Sequence, residues 1–250
     1  MTDNQWGSER QLLVLPTYNE RDNLKPIVTA IRAQLPETTI WIFDDNSPDG
    51  TGEIADELAA VDERIEVLHR PSKLGLGTAY TEAFRRALTQ NFDYVLQMDA
   101  DFSHDPRYLP ALLAAARDAD LVLGSRYTSG GGTRNWSLWR RFISRSGNLV
   151  ARVGLGVRVR DTTGGYRVFR RSALESLDLE NLDLRGYSFQ IEVVYQIERR
   201  GLRIKEVPII FVERVTGVSK MSREIALEAF LHIARRRGQM LLRRWYSPRS

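Results

Sequence analysis

Two carboxylates one residue apart, Asp99 and Asp101, follow an apolar run that begins Tyr94-Val95-Leu96. In an extended chain alternate side chains point to the same side, so both are expected to face one spot. Two negative charges held together repel unless a cation sits between them. Oxygen ligands at this spacing suit a hard divalent ion, Mg²⁺ or Mn²⁺, with phosphate oxygens completing its shell. The competing reading is a pair of solvated turn aspartates, because D-x-D is a short pattern.

Other chemistry-bearing residues are spread along the chain. Asp44-Asp45 ends a second apolar run, and a carboxylate here could accept hydrogen bonds from a base or a ribose. Ordinary turn and cap duty explains the same residues. In Thr17-Tyr18-Asn19-Glu20, Tyr18 could stack on a base and Asn19 could cap the next helix. The segment GLGTA (75–79) resembles a phosphate loop, but it is no Walker motif and its dinucleotide fingerprint is incomplete; helix punctuation explains it equally. Arg126, Arg214 and Lys220 each follow a predicted strand, the last two in ERVTGVSK (213–220), a loop that could fold over a ligand. Solvated loop cations are the alternative. His104, beside the aspartate pair, reads as a structural hydrogen-bonder rather than a catalytic base.

The elements that must position these residues alternate. Residues 11–16, 39–45, 64–70, 93–101 and 119–126 read as buried strands, and 24–35, 51–61, 77–90 and 106–118 as helices. This order predicts a mainly parallel sheet with helices on both faces, an α/β fold whose ligand crevice lies beyond the carboxyl ends of the strands. The polar and Gly-rich segments all fall at those ends. Further on, the pattern predicts a helix over 135–154 with a possible break at Gly147, a strand at 165–170, and a helix around 187–200. A strand over 206–214 follows, which Pro208 places at an edge or marks as starting there, then a final Arg-rich helix that Gly238 interrupts. The domain reading is a loose N-terminus at 1–10, one catalytic domain at 11–222, and a C-terminal helix and tail at 223–250.

The chain of 250 residues has no cysteine, which excludes disulfides, a thiolate nucleophile and Cys-based zinc, and its three histidines are too scattered for a metal site. No signal pattern opens it and no apolar run reaches ~18 residues, so a cytoplasmic location is expected. The net charge of +4 is unevenly spread: residues 121–160 hold eight Arg and no Asp, Glu or Lys, and residues 221–250 seven Arg against two Glu. Such segregation predicts an anionic partner, either nucleic acid or an anionic membrane. In the 135–154 helix, Trp136, Trp139, Phe142, Ile143, Leu149, Val150 and Val153 form an apolar stripe opposite Arg141, Arg145 and Arg152. An interfacial helix has this form, and so does a helix whose stripe packs on the core.

Taken in order, LPTYNE, DDNSPDGT, KLGLGTAY, MDADFSH, GSRY, DTTGGYRVFRR, GYSFQIE and EVPIIFVERVTGVSK resemble the polyprenyl (dolichyl) phosphate mannose synthases, over roughly residues 11 to 222. These are inverting glycosyltransferases of the GT-A fold. The resemblance implies that Pro16, Tyr18, Glu20, Phe43 and Asp45 hold the guanosine of GDP-mannose. It implies that Asp99, Ala100 and Asp101 hold the sugar-nucleotide and the metal, and that Arg126, Arg214 and Lys220 hold phosphates. Asp99, Asp101 and Arg126 are the residues on which catalysis should depend. Ser103 stands where related synthases often carry a Gln metal ligand.

The expected reaction is transfer of mannose from GDP-mannose to a polyprenyl phosphate with inversion. No base is needed, because the acceptor's second pKa near ~6 leaves it mostly dianionic at neutral pH. A lipid acceptor also accounts for the basic segments, through peripheral attachment to the cytoplasmic face of a membrane, directly or through a membrane-anchored protein partner. The rivals are a glucosyltransferase using UDP-glucose, a nucleic-acid-binding protein, and a catalytically inactive metal-binding regulator. Nucleic acid is not expected, since it leaves the acidic crevice unexplained.

Overall fold

The computed structural model describes residues 9–182, 184, 186–213 and 223–246. A seven-stranded sheet runs through it. The strands are β1 (Gln11–Thr17), β2 (Thr39–Asp44), β3 (Ile65–His69), β4 (Tyr94–Gln97), β5 (Leu121–Ser125), β7 (Arg167–Arg170) and β8 (Ile204–Pro208), in the order β3-β2-β1-β4-β7-β5-β8. All neighbours are parallel except β7, which runs antiparallel to both β4 and β5. A separate parallel pair joins β6 (Gly132–Arg134) to β9 (Ile210–Val212).

Alternation in β1 shows how the layers arise. Leu12 and Val14 face one core with Trp41, Phe43 and Phe84, whereas Leu13 and Leu15 face the other with Leu24, Ile27 and Ile31. Helix α1 (Arg21–Gln34) covers that second face, burying Leu24, Ile27, Val28 and Ile31 at helical spacing. Helices α2 (Thr51–Val61), α3 (Leu76–Thr89), α4 (Leu109–Ala115), α5 (Leu138–Leu155), α6 (Arg171–Glu175), α7 (Gly186–Arg199) and α8 (Arg223–Tyr246) complete the fold. Gly77 is required near the start of α3: a Cβ there would lie 1.9 Å from the Leu184 carbonyl oxygen. With Gly75 at the N-cap, GLGTA is therefore helix punctuation and close packing.

Four expectations are corrected. The ladder of β4 stops at Gln97, short of the aspartate pair. The strand over 206–214 is two strands, because the chain leaves the large sheet after Pro208, at its edge, and pairs with β6 instead. Asn19 does not cap α1: it lies at φ 57° and the N-cap is Glu20. Helix α5 passes through Gly147, and α8 through Gly238, without a break. The C-terminal helix α8 packs on the rest of the chain, with Ala229 and Ile233 joining the core against α5 and α7.

The apolar stripe of α5 does not pack on the core. Its buried residues are Asn148, Ala151 and Leu155, while Leu138, Trp139, Phe142, Leu149, Val150 and Val153 are exposed, Trp139 and Val153 at 69%. Trp136 is the exception: it precedes the helix and is buried against Phe211. Arg145 and Arg152 lie beside the stripe rather than opposite it, since Leu149 is four residues after one and three before the other.

Candidate active site

The topology brings three segments to one place. Order reverses at β1, so the ends of β1 and β4 flank a crevice. Because β7 is antiparallel, its entry, Gly164-Gly165-Tyr166, lies at the carboxyl ends of β4 and β5. A Cβ on Gly165 would come within 3.5 Å of His104, 3.7 Å of the Gln190 amide and 3.8 Å of the Asp99 carboxylate.

Asp99 and Asp101 sit on a turn, with Phe102 between Asp101 and Ser103 at φ 59°. Asp101 Oδ1 accepts the backbone N–H of Ser103 at 3.0 Å and its hydroxyl at 2.5 Å. Ser103 thus orients Asp101, and its hydroxyl proton is directed at that carboxylate. Both charges are felt by the same buried neighbours, Tyr80 and His104. Burial pushes the Tyr80 hydroxyl well above its ordinary pKa, and the charges of Asp99 and Asp101 push it the same way. The Asp99 N–H donates to His104 Nδ1 at 3.1 Å, fixing that nitrogen as an acceptor. The His104 ring is buried and stacks on Tyr166 at 4.9 Å, and its burial holds its pKa below the usual value despite the two aspartates. It is a structural hydrogen-bonder.

Arg126 is placed by β5 and is buried. Its Nε donates to Asp161 Oδ2 at 2.7 Å, its Nη2 to Oδ1 at 2.6 Å, and Nη2 also to the Thr163 hydroxyl at 2.8 Å. The rings of Tyr127, Trp136 and Phe211 surround the guanidinium at 5.3–5.5 Å. Burial alone opposes both charges. The attraction of the pair outweighs it, holding Arg126 above and Asp161 below their ordinary values. Nearby, Arg167 is fully buried among the carbonyls of Thr162, Gly164 and Gln190, and burial pushes its pKa down to about 9.

The remaining expected residues divide. Tyr18 is half-buried, with the Lys73 ammonium 3.9 Å over its ring. Glu20 is buried and accepts from the Asn23 amide at 2.8 Å. Asp45 binds Arg70 at 2.5 Å and the Gly75 N–H at 2.9 Å, so its oxygens tie β2 to the loop before α3. The ring of Phe43 and the methyl of Ala100 lie in the core, and Pro16, on β1, is partly buried. Arg214 and Lys220 fall outside the described residues.

Sequence reasoning passed over Asp161, Thr163 and Arg70. A signal for Asp161 exists: it is the first acidic residue after the acid-free stretch 121–160. Asp99 and Asp101 supply hard oxygen ligands, which fits a divalent cation. Among the described residues no cluster of three or more His, Cys, Asp or Glu exists, so other ligands would come from a diphosphate and water.

Comparison with known proteins agrees with this geometry. Residues 12–178 match the model of glycosyl transferase family 2. The chain is 46% identical over 226 residues to an undecaprenyl-phosphate mannosyltransferase of Micrococcus luteus, covering 90% of this chain and 93% of that one. It is also 46% identical over 230 residues to a polyprenol monophosphomannose synthase of Mycolicibacterium smegmatis, covering 91% and 86%. Among solved structures, a mycobacterial protein superposes with a TM-score of 0.68 at 20% identity, over 92% of this chain and 75% of that one. The glucosyl-3-phosphoglycerate synthase of Mycobacterium tuberculosis, in complex with Mn²⁺, UDP-glucose and phosphoglyceric acid, superposes at 0.66 and 20% identity, over 92% and 80%. The chain belongs to glycosyl transferase family 2, and its fold is GT-A.

Proposed function

We propose that this family 2 glycosyltransferase is a polyprenol monophosphomannose synthase, moving mannose from GDP-mannose to a polyprenyl phosphate with inversion. The observation that carries the reading is 46% identity along nine-tenths of the chain to relatives bearing such names. The crevice adds chemical support. Pro16, Tyr18, Glu20, Phe43 and Asp45, at the carboxyl ends of β1 and β2, would hold the guanosine, and Asp99 and Asp101 follow the neighbouring β4.

Asp99 and Asp101 would hold Mg²⁺ or Mn²⁺. When bound, such an ion supplies Lewis-acid stabilisation of the departing diphosphate. The protein's own part is orientation. Ser103 directs Asp101, Gly165 lets β7 approach Asp99, and Asp161 holds the Arg126 guanidinium in a fixed orientation while offsetting part of its charge. Arg214 and Lys220 are proposed to contribute further charge to the phosphates. The acceptor phosphate attacks the anomeric carbon from the face opposite the nucleotide. As it is already mostly dianionic near neutral pH, with a second pKa of ~6, no protein base takes part.

A peripheral seat on an anionic membrane, or on a membrane-anchored protein, follows from the lipid acceptor. The exposed apolar stripe of α5 with its flanking arginines supports it. Among the described residues no helix is long and apolar enough to cross a membrane. The decisive experiment is transfer of labelled mannose from GDP-mannose to a short polyprenyl phosphate, with and without Mg²⁺. Preference for UDP-glucose over GDP-mannose would overturn the donor assignment.

A further inference from the structure

Between α5 and the loop after β5 lies a cavity of about 350 Å³, lined by Arg126, Arg145, Arg152, Arg160, Thr128 and Leu149 among others. None of Asp99, Asp101, Ser103 or His104 lines it, so it does not open on the acidic crevice. Arg126 lines one side of it and is paired with the buried Asp161, which offsets most of its charge. The other three guanidiniums have no such partner among the described residues: no described carboxylate lies within ion-pair distance of Arg145, Arg152 or Arg160, although the Arg160 backbone N–H binds Glu206. Arg152 Nε is buried with no hydrogen-bond partner among the described residues. Arg145 and Arg160 are exposed and Arg152 half-buried, so water screens their repulsion, but three like charges around one concavity still favour an anion there.

The position of the cavity says what carries the anion. Leu149 belongs both to its lining and to the exposed stripe with Val150 and Val153. An apolar surface and a cationic hole thus adjoin on one side of one helix. A ligand that fills both is amphiphilic, with a phosphate at one end and hydrocarbon at the other.

We propose that this cavity seats the phosphate of an anionic membrane phospholipid, separate from the reacting acceptor, and so docks α5 in the membrane surface. The inference rests on the reading of α5 as a membrane-facing helix. Arg145, Arg152 and Arg160 hold the phosphate oxygens, and the stripe enters the acyl boundary beside it. The seat differs from diffuse attraction because geometry, and not charge count alone, sets its strength.

Sedimentation with vesicles of phosphatidylcholine, with and without phosphatidylglycerol, tests this. Loss of one diffuse charge lowers partition about fivefold. Arg152→Gln and Arg160→Gln should each lower it well over tenfold on the anionic vesicles. Arg158→Gln, which removes an equal charge at a side chain 96% exposed and outside the cavity, should cost no more than about fivefold. Equal losses for all three variants would overturn the seat while leaving membrane attachment standing. No binding of the wild type to any vesicle would overturn both. In the soluble arm, inorganic phosphate should compete only at millimolar concentration. Tight phosphate binding that vesicles do not displace would make the ligand a free ion and end the proposal. A raised KM for a short polyprenyl phosphate in Arg152→Gln would make the cavity part of the acceptor site, and equally end it. Unchanged melting temperatures keep misfolding out of the comparison.

Discussion

Asp161 grips Arg126 through two parallel hydrogen bonds, at 2.7 and 2.6 Å, with the carboxylate at 0% exposure and the guanidinium at 6%. A cation read from the sequence as a phosphate holder is therefore committed, before any ligand arrives, to a carboxylate 35 residues further along the chain. Its direction is fixed and its charge is partly offset. That arrangement suits a group that must be pre-oriented rather than one that must reach.

Asp161→Asn should cost about 3–5 kcal/mol of stability, because it strands a buried guanidinium. Denaturant unfolding measures this. The depressed pKa of Asp161 gives the sign of the pH effect: its contribution is full above the ordinary carboxylate range and is lost as pH falls through the lowered folded value. The wild type should lose stability on acidification more steeply than the variant; parallel pH profiles would show that the pair is not a source of stability.

Removing the Asp101 carboxylate in Asp101→Ala should reduce mannosyl transfer by about a thousandfold or more, since the stabilisation at stake is several kcal/mol. Excess EDTA on the wild type should do the same. Turnover that survives either treatment at saturating GDP-mannose refutes the metal role. Ser103→Ala is expected to be milder, about tenfold, as it removes one hydrogen bond of about 1.4 kcal/mol to Asp101 and leaves the carboxylate in place.

Trp139 and Phe142 stack on each other at 5.7 Å while standing 69% and 61% exposed. Each side chain is worth about 1.5–3 kcal/mol if buried, so Trp139→Ser with Phe142→Ser should lower vesicle partition by roughly a hundredfold or more. The melting temperature and GDP affinity should not move. A fall in melting temperature instead would mean that the pair belongs to the fold.

Helix α8 is held by one buried carboxylate. Glu192, on α7 at 0% exposure, accepts Arg236 Nε at 2.9 Å and faces His232 Nε2 at 2.9 Å. Burial raises its pKa, but hydrogen bonds from His232, Arg236 and Gln196 prevail and hold it below the usual value. Glu192→Gln should destabilise the protein by about 3 kcal/mol at neutral pH. The difference from wild type should shrink as pH falls through the lowered value, because a depressed carboxylate stabilises only while ionised. Hydrogen exchange should report opening in α8 first; protection lost equally throughout would argue against a local latch.

Much of this molecule is legible along the chain. The five apolar runs at 11–16, 39–45, 64–70, 93–101 and 119–126 announce their strands because a strand buried on both faces must be apolar throughout. The helix over 51–61 is recognised to the residue, and the D-x-D pair, the basic segments and the stripe of α5 all stand in the primary sequence. These are local properties: periodicity, charge and spacing follow from neighbours in the chain.

Tertiary structure decided what lies far apart in sequence. An antiparallel β7 between β4 and β5 carries Asp161, Thr163 and Gly165 to Arg126 and Asp99, and no local pattern reports strand order. The pairing of β6 with β9 splits a run that reads as one strand, and it buries Trp136 while Trp139 stays outside. The same holds for α5, whose amphipathic pattern is satisfied equally by a core or by an interface. Only the three-dimensional packing shows that its small face, Asn148, Ala151 and Leu155, turns inward and its large apolar face outward. A periodic pattern states that two faces differ; which of them meets the protein depends on what the rest of the chain brings against it.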